Sequence, residues 1–476
     1  MPDAMKLEQH LEIRAPLDRL EQEAVRRGLA SPDEIGREVE AGLRYVLSFA
    51  RMTVVRNRDG QDVEVAGFLA PHAWRVRNAL EPQLKPGGDK GLWEAVRELP
   101  TLVAATREQR RALLERFPLD RESLEAEVCE RKLVLAAGGG GGAGYGYVGA
   151  YLLFHRNNLD PALIAGTSMG AIIGLCRARR RRFDVAATFE IGKRLTWQNL
   201  FRVLQSGSQY GLPAGLRLNL HAVLGPLFLN DQGEPLTLRE LPVPMRIVTT
   251  GIKLDALKHD LSYYEHFLDD SLTPGFDLAR GRLQRVAQVG HLIRELTEDP
   301  ELLTEIVFGA YAATLDADVL DAAGFSSAIP ALIHYDVLRE DPRMRDLLDR
   351  LYAQHGIARM AEGGLVNNVP ARVAYQAVME GALGRRGAYV VAMDCFAPQV
   401  RELMFYPLQQ YVRANVSRNL PYANLYFPLK RVLNALNLAP TVRSVEKAIR
   451  WTSEELRPHL PLIKAMVAPL PILPDR

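Results

Sequence analysis

Hydrophobic and polar positions are most sharply patterned between Leu133 and Gly174, in the stretch LVLAAGGGGGAGYGYVGAYLLFHRNNLDPALIAGTSMGAIIG. Two short apolar runs there each read as a buried parallel strand. Each is closed by a Gly-rich turn, and each turn leads into an apolar segment that reads as a helix. The unit predicted is β-turn-α-β-turn-α. Two further apolar runs, Met245-Arg246-Ile247-Val248-Thr249-Thr250 and Ala388-Tyr389-Val390-Val391-Ala392-Met393, read as additional core strands.

The flanks are patterned differently. Ser31-Pro32-Asp33-Glu34 has the form of a capping box with proline at the first helical position. Ile35, Val39, Leu43, Val46 and Leu47 follow at helical spacing, which predicts a helix from about Pro32 to Arg51. The stretch MTVVRNRDGQDVEVAGF alternates around Asp59-Gly60 and predicts a β-hairpin. Lys85-Pro86-Gly87-Gly88 marks a loop, and 91–99 and 107–116 read as two further helices. Residues 253–310 read as a long insertion between core strands, a lid or channel wall carrying Tyr263, Tyr264 and Phe267. After residue 398 the chain turns helical again, and 461–474 is Pro-rich and expected to be extended.

Composition narrows the class. In 476 residues, 47% hydrophobic and 24% charged, there is enough apolar material for one large domain with additions, or for two to three domains. Lys and Arg number 59 against 57 Asp and Glu, so the net charge of +2 offers no bulk attraction to nucleic acid. Cys129, Cys176 and Cys395 are odd in number and lack C-x-x-C spacing, which argues against a disulfide framework and a zinc site and favours a reducing compartment. The charged N-terminus has no apolar signal-peptide core. Leu133 to Phe154 is uncharged over 22 residues, nominally a membrane span, but eight of these are glycine, which divides it into strand, turn and helix.

Two Gly-rich turns carry the candidate chemistry. Gly166-Thr167-Ser168-Met169-Gly170 fits G-x-S-x-G, an elbow in which flanking glycines let the chain reverse sharply and leave a serine oxygen exposed at a helix N-terminus. Ser168 is the candidate nucleophile. The earlier turn, Gly138 to Gly144, admits two readings. Gly139-x-Gly141-x-x-Gly144 fits a dinucleotide fingerprint, yet the next strand ends in the elbow with no carboxylate to hold a ribose. The other reading makes it an oxyanion hole, in which amides of Gly139, Gly140, Gly141, Gly142 and Gly144 converge on a developing negative oxygen.

With both turns in view, the stretch resembles the opening of the patatin-like phospholipase family, which pairs a Gly-rich oxyanion loop with a G-x-S-x-G nucleophile one βα unit later. The resemblance continues in Glu362-Gly363-Gly364-Leu365-Val366-Asn367-Asn368-Val369-Pro370, which is similar to the family's D-G-G or D-G-A motif, and in Ser326-Ser327-Ala328-Ile329-Pro330, similar to its S-x-A-x-P segment. It spans roughly 132–398. Glu362 stands where the family carries the aspartate of its Ser-Asp dyad and is one methylene longer. Ala143 stands where the family usually has Lys or Arg.

The resemblance implies an α/β three-layer fold with a mostly parallel sheet over 131–400, a mainly helical extension over 1–130 and a helical, Pro-rich extension over 401–476. It implies a lipid acyl hydrolase in which Ser168 attacks an ester, phospholipids foremost, and Glu362 takes its proton. Gly166 and Gly170 shape the elbow and Gly363 and Gly364 the turn after the base. The dyad needs no cofactor and no metal. The expected partner is a lipid ester at a membrane surface, with no nucleic acid and no transmembrane segment, in the cytoplasm with peripheral membrane association. The alternative is a catalytically weakened lipid-binding or scaffolding protein. A Ser-His-Asp triad would need a histidine such as His334 or His459.

Overall fold

The computed structural model describes residues 4–31, 36–85, 92–185, 187–188, 197–203, 208–257, 290–337, 339–398 and 406–475. The N-terminal part holds α1 (Ala4–Ala30), α2 (Arg37–Ala50), the antiparallel pair β1 (Val54–Arg56) and β2 (Asp62–Glu64), α3 (Ala66–Leu80), α4 (Leu92–Arg116) and α5 (Arg121–Cys129). The hairpin turns at Asp59-Gly60, with Gly60 at a φ of 78°. The helices expected at 91–99 and 107–116 are one, α4, which continues through Pro100. Its buried positions Leu92, Ala95, Leu99, Leu102 and Ala105 form an unbroken stripe, and packing along that stripe overrides the proline. Helix α2 begins later than expected, after Gly36; residues 32–35 and the loop at 86–88 lie outside the described residues.

From β3 (Lys132–Ala137) onward the chain alternates strands and helices. Helix α6 (Tyr147–Arg156) leads to β4 (Leu163–Thr167), and α7 (Met169–Ala178) leads to a small sheet of β5 (Phe201–Val203), β6 (Ala214–Leu218) and, later, β9 (Ala331–His334). The main sheet resumes with β7 (Met245–Ile252) and β8 (Leu303–Phe308). Helices α8 (Val319–Ser326) and α9 (Pro342–His355) lead to β10 (Arg359–Glu362), α10 (Ala371–Met379) to β11 (Ala388–Asp394), and α11 (Tyr406–Asn419) to β12 (Leu425–Pro428), before α12 (Val442–Leu456) and α13 (Leu460–Val467).

The main sheet has the order β10-β7-β4-β3-β11-β12, with β8 also paired to β7. Strands β7, β4, β3, β11 and β12 are parallel, while β8 and β10 run antiparallel to β7. Successive residues alternate between two apolar cores. Leu133, Leu135, Ala137, Ile164 and Ile247 join the core that includes α6, α7 and α12; Val134, Ala136, Leu163, Ala165 and Val248 join the core under α10. Both faces are covered, so the parallel strands read as continuous apolar runs rather than alternating ones. The fold is a three-layer α/β sandwich.

Three expectations from sequence change here. The stretch 253–310 does not lie wholly between core strands, because 303–308 is strand β8, hairpin partner of β7; Tyr263, Tyr264 and Phe267 lie outside the described residues. The chain after residue 400 supplies β12 to the central sheet. Of the expected extended tail, 460–467 is helix α13 with Pro461 in its first turn, where a missing N–H costs nothing, and the extended part is 469–475.

A buried ionic knot fastens the N-terminal helices to the sheet. Glu21 of α1 pairs with Arg44 of α2 (3.2 Å), with Arg51 just past that helix, and with Arg131 (2.7 Å), the residue before β3. Burial alone would raise the Glu21 carboxyl, but the guanidiniums of Arg131, Arg51 and Arg44 overcome it and hold the group at about 2. Removing one member strands buried charge of the other sign. Glu21→Ala is therefore expected to destabilise the chain by about 3–5 kcal/mol in urea unfolding at pH 7. In the parent this stabilisation is present above the unfolded carboxyl's value near 4.5 and is lost as pH falls toward 2. The variant should lose that part of the acid dependence.

Candidate active site

Strand β7 brings the site together. Its edge opposite β8 is shared by two strands end to end: β4 pairs up to Thr167↔Val248, and β10 pairs from Glu362↔Thr249 onward. The last residues of β4 and β10 thus face adjacent residues of β7 while approaching from opposite directions. Ser168, which follows Thr167, and Glu362 are forced into proximity by register.

Ser168 is the N-cap of α7 and holds φ 52°, ψ −126°, one of two described non-glycine residues at positive φ. A serine held in that region is strained, as a nucleophile elbow requires. Gly166 lies against the turn's own backbone at Gly170 and Ala171, and Gly170 against the end of β3, where a Cβ would fall 2.2 Å from the Ala137 carbonyl oxygen. Ser326, the last residue of α8, clamps the elbow. Its hydroxyl accepts the Ser168 N–H at 2.8 Å and donates to the Val248 carbonyl at 2.5 Å. Two residues on, the Ala328 carbonyl accepts the Glu362 N–H at 2.8 Å. The S-x-A-x-P segment therefore holds both halves of the site, a role its sequence did not reveal.

Glu362 ends β10, where the Thr250 hydroxyl donates to its carbonyl at 2.6 Å. Gly363 follows it because no side chain fits: a Cβ there would meet the Val248 carbonyl oxygen at 2.2 Å. Gly364 lies beside the Glu362 side chain. The residue as a whole is half-buried, but its carboxyl is surrounded by protein. Burial pushes that carboxyl up to about 7, against the pull of a hydrogen bond from the Ser168 hydroxyl.

The Gly-rich loop closes over this pair. A Cβ at Gly139 would lie 3.0 Å from Ser168 Cβ and 3.2 Å from Glu362 Oε1, so Gly139 sits where nucleophile and carboxylate meet. The loop's amides differ in availability. Gly139 N–H donates to the Asn368 carbonyl (3.1 Å) and Gly142 N–H to the Ala435 carbonyl (2.8 Å). Gly144, within the 3₁₀ turn of 141–146, packs on the Met169 side chain. The N–H groups of Gly140 and Gly141 have no acceptor among the described residues. Ala143 is 2% exposed and packs into the main core, so the position where a basic residue was the family's usual choice points away from solvent.

Residues that the sequence reading missed hold the loop. Asn368 donates from Nδ2 to the Gly139 carbonyl at 3.4 Å, and Asn415 of α11 both accepts the Asn368 N–H (3.1 Å) and donates to the Gly364 carbonyl (2.9 Å). No local pattern around Asn415 marks it, since its partner lies about fifty residues away in the chain. The two histidines considered for a triad are engaged elsewhere: His334 Nδ1 bonds the Leu212 carbonyl at 3.0 Å, and the His459 ring meets Phe427 edge-on. Asp394 caps its own turn, accepting the Phe396 N–H and the Tyr426 hydroxyl, each at 2.8 Å. Arg177, in the last turn of α7, is buried beside Asp160.

Among the described residues, one grouping could ligate a metal ion: His221, Asp318 and Asp321. The Arg339 guanidinium already occupies it, 2.7 Å from Asp321, 3.1 Å from Asp318 and 3.0 Å from His221 Nε2. The cluster fixes the start of α8, where Asp318 accepts the N–H groups of Leu320 and Asp321.

The structure thus brings together a serine elbow after parallel strand β4, a carboxylate at the end of β10, which shares the β7 edge with β4, and a Gly-rich loop beside both, in an α/β fold. A family model described as patatin-like phospholipase matches residues 135–375, just over half of the chain, and the chain belongs to that family, whose members are in general lipid acyl hydrolases. No curated protein matches it. Among the described residues, no helix is long and apolar enough to cross a membrane.

The Ser326 clamp is testable. Ser326→Ala leaves the Ser168 N–H buried without its acceptor, and about 1–3 kcal/mol of stability should be lost by urea unfolding. Because the elbow loosens, any rate that depends on Ser168 should fall chiefly in kcat with KM little changed. Ser326→Thr, which keeps the hydroxyl, should restore part of it.

Proposed function

We propose that this chain hydrolyses acyl esters of lipids, phospholipids foremost, through an acyl-enzyme on Ser168. The observation that carries the reading is the β7 register, which sets Ser168 beside a buried carboxyl that titrates near neutrality. Ionised Glu362 accepts the Ser168 proton as Oγ attacks the ester carbonyl. The N–H groups of Gly140 and Gly141, together with the N-terminal amides of α7, stabilise the oxyanion. Collapse of the tetrahedral intermediate expels the alcohol, to which Glu362 returns the proton. Water, deprotonated by Glu362, then attacks the acyl-serine, and collapse releases the fatty acid while Glu362 passes that proton to Oγ, which re-forms Ser168 and the ionised carboxylate.

The glutamate in place of aspartate ends β10 with its carboxyl close enough to the Ser168 hydroxyl for that group to act against the effect of burial. Ser168→Ala should abolish labelling by a fluorophosphonate and turnover of a p-nitrophenyl ester. Glu362→Gln should lower kcat by about 10²–10⁴-fold, the usual share of a general base. Glu362→Asp, with its carboxylate withdrawn, should lose at least tenfold. An unlabelled wild type, with no turnover of ester or mixed phospholipid, would favour the lipid-binding alternative that Ala143 and Glu362 suggest.

The raised carboxyl gives a paired test. Activity needs ionised Glu362, so kcat/KM should rise with pH through about 7 and level above it. Stability runs the other way. A carboxyl raised in the folded state favours folding while protonated, and that advantage fades as pH climbs from 4.5 through 7. Ionising it costs about 3 kcal/mol at ~1.4 kcal/mol per pKa unit. Glu362→Gln should therefore melt higher than wild type at pH 8, with the gap narrowing toward pH 4.5.

A further inference from the structure

On the face of the sheet covered by α10, away from the core that holds α7, lies a cavity of about 400 Å³ bounded by α1, the β1–β2 hairpin, β7, β8 and α10. That volume is in the range of small-ligand sites. Val307, Val373, Ala377 and Leu7 contribute apolar wall. Arg246, on the same side of β7 as Val248 and paired in register with Ala165, lines it.

Four cations and four carboxylates line this wall, and three of each are paired. Lys6 pairs with Glu64 at 2.8 Å, Arg386 with Asp62 at 2.5 Å, and Arg372 with Glu305. Arg246 has no ion pair among the described residues. Its Nη1 reaches only the Met245 carbonyl, at 3.2 Å, and its Nε is buried with no hydrogen-bond partner. Burial pulls the guanidinium below its ordinary value, and Glu380, which lines the same wall and accepts from Gln376, is the charge that opposes this. A half-buried cation beside apolar wall is costly unless an anion joins it.

We propose that this cavity binds one long-chain carboxylate, with Arg246 holding the head in a two-pronged hydrogen bond and the chain lying along Val307, Val373 and Ala377. Arg246 and Glu380 are the two charged residues of the wall without an ion pair among the described residues, and the carboxylate head joins the cation. A dianionic phosphate head would crowd Glu305 and Glu380, which line the same wall. That the ligand is the chain's own product rests on the hydrolytic function proposed above. The cavity also adjoins the catalytic loop, because Glu305 accepts the Asn367 Nδ2 at 2.7 Å.

The test is calorimetric binding of laurate, dodecanol and dodecyl phosphate to the full chain, with no turnover needed. Laurate should bind wild type and Ser168→Ala with one equivalent and at least tenfold more tightly than dodecanol or dodecyl phosphate. Arg246→Leu should lose at least tenfold in laurate affinity, and Ala377→Trp, which fills the cavity and keeps the cation, should lose as much. Equal binding of laurate and dodecanol by wild type overturns the site, and that comparison requires no variant. Laurate affinity unchanged in Arg246→Leu, or tighter binding of dodecyl phosphate, overturns it too. A wild type that hydrolyses esters without preferring laurate loses this site and keeps the catalytic reading. One that binds laurate through Arg246 without hydrolysing esters keeps the site, and the claim that the ligand is its product fails.

Discussion

The candidate site depends on one edge of β7 that must serve two strands in succession. Were β4 one residue longer, it would run into the end of β10, so both strands stop at adjacent rungs and their chains leave the sheet there. One chain leaves through the Ser168 elbow, the other through Gly363, pressed against the Val248 carbonyl. The Val248 carbonyl itself accepts from the Ser326 hydroxyl. Backbone pairing, the most rigid part of a fold, thereby fixes two side chains almost two hundred residues apart in sequence. No flexible loop has to find the other partner, which is what preorganisation means in physical terms.

Two buried glutamates show how environment assigns roles to one residue type. Glu21 faces three guanidiniums and stays ionised far below neutrality, so it fastens helices and offers no proton chemistry at working pH. For Glu362, burial outweighs the serine hydroxyl's hydrogen bond, and its carboxyl titrates near 7. The same desolvation that destabilises the ionised form makes it a stronger base once ionised. A guanidinium next to Glu362 would have stabilised the fold and lowered that basicity.

The parallel strands and both Gly-rich turns were legible because they are local: buried strands read as apolar runs, and tight turns demand glycine. The E-G-G motif was legible for the same reason. Less visible was what packing decides. Nothing around Pro100 signals that α4 passes through it, because the deciding contacts are Leu99 and Leu102 against the neighbouring helices. The β8 strand, LTEIVF, is half-exposed at its start and carries a charge, so it lacks the mark of a buried run. The capacities of individual loop amides were hidden altogether, since those of Gly139 and Gly142 are engaged by carbonyls from residues 368 and 435.

Those distant carbonyls bear on where the functional unit ends. The family match stops at residue 375, yet Asn415 braces the turn after Glu362, and Ala435 and Leu438 accept from Gly142 and the Tyr145 hydroxyl. Strand β12 lies between these contacts in sequence and pairs with β11 at the sheet's far edge. It is therefore an anchor: with β12 in register, the segments on either side of it reach the Gly-rich loop from fixed positions. A loop built of consecutive glycines has little stiffness of its own. The geometry that lets it cover Ser168 without side chains is borrowed from the C-terminal part of the chain, which makes residues 406–438 part of the site's architecture.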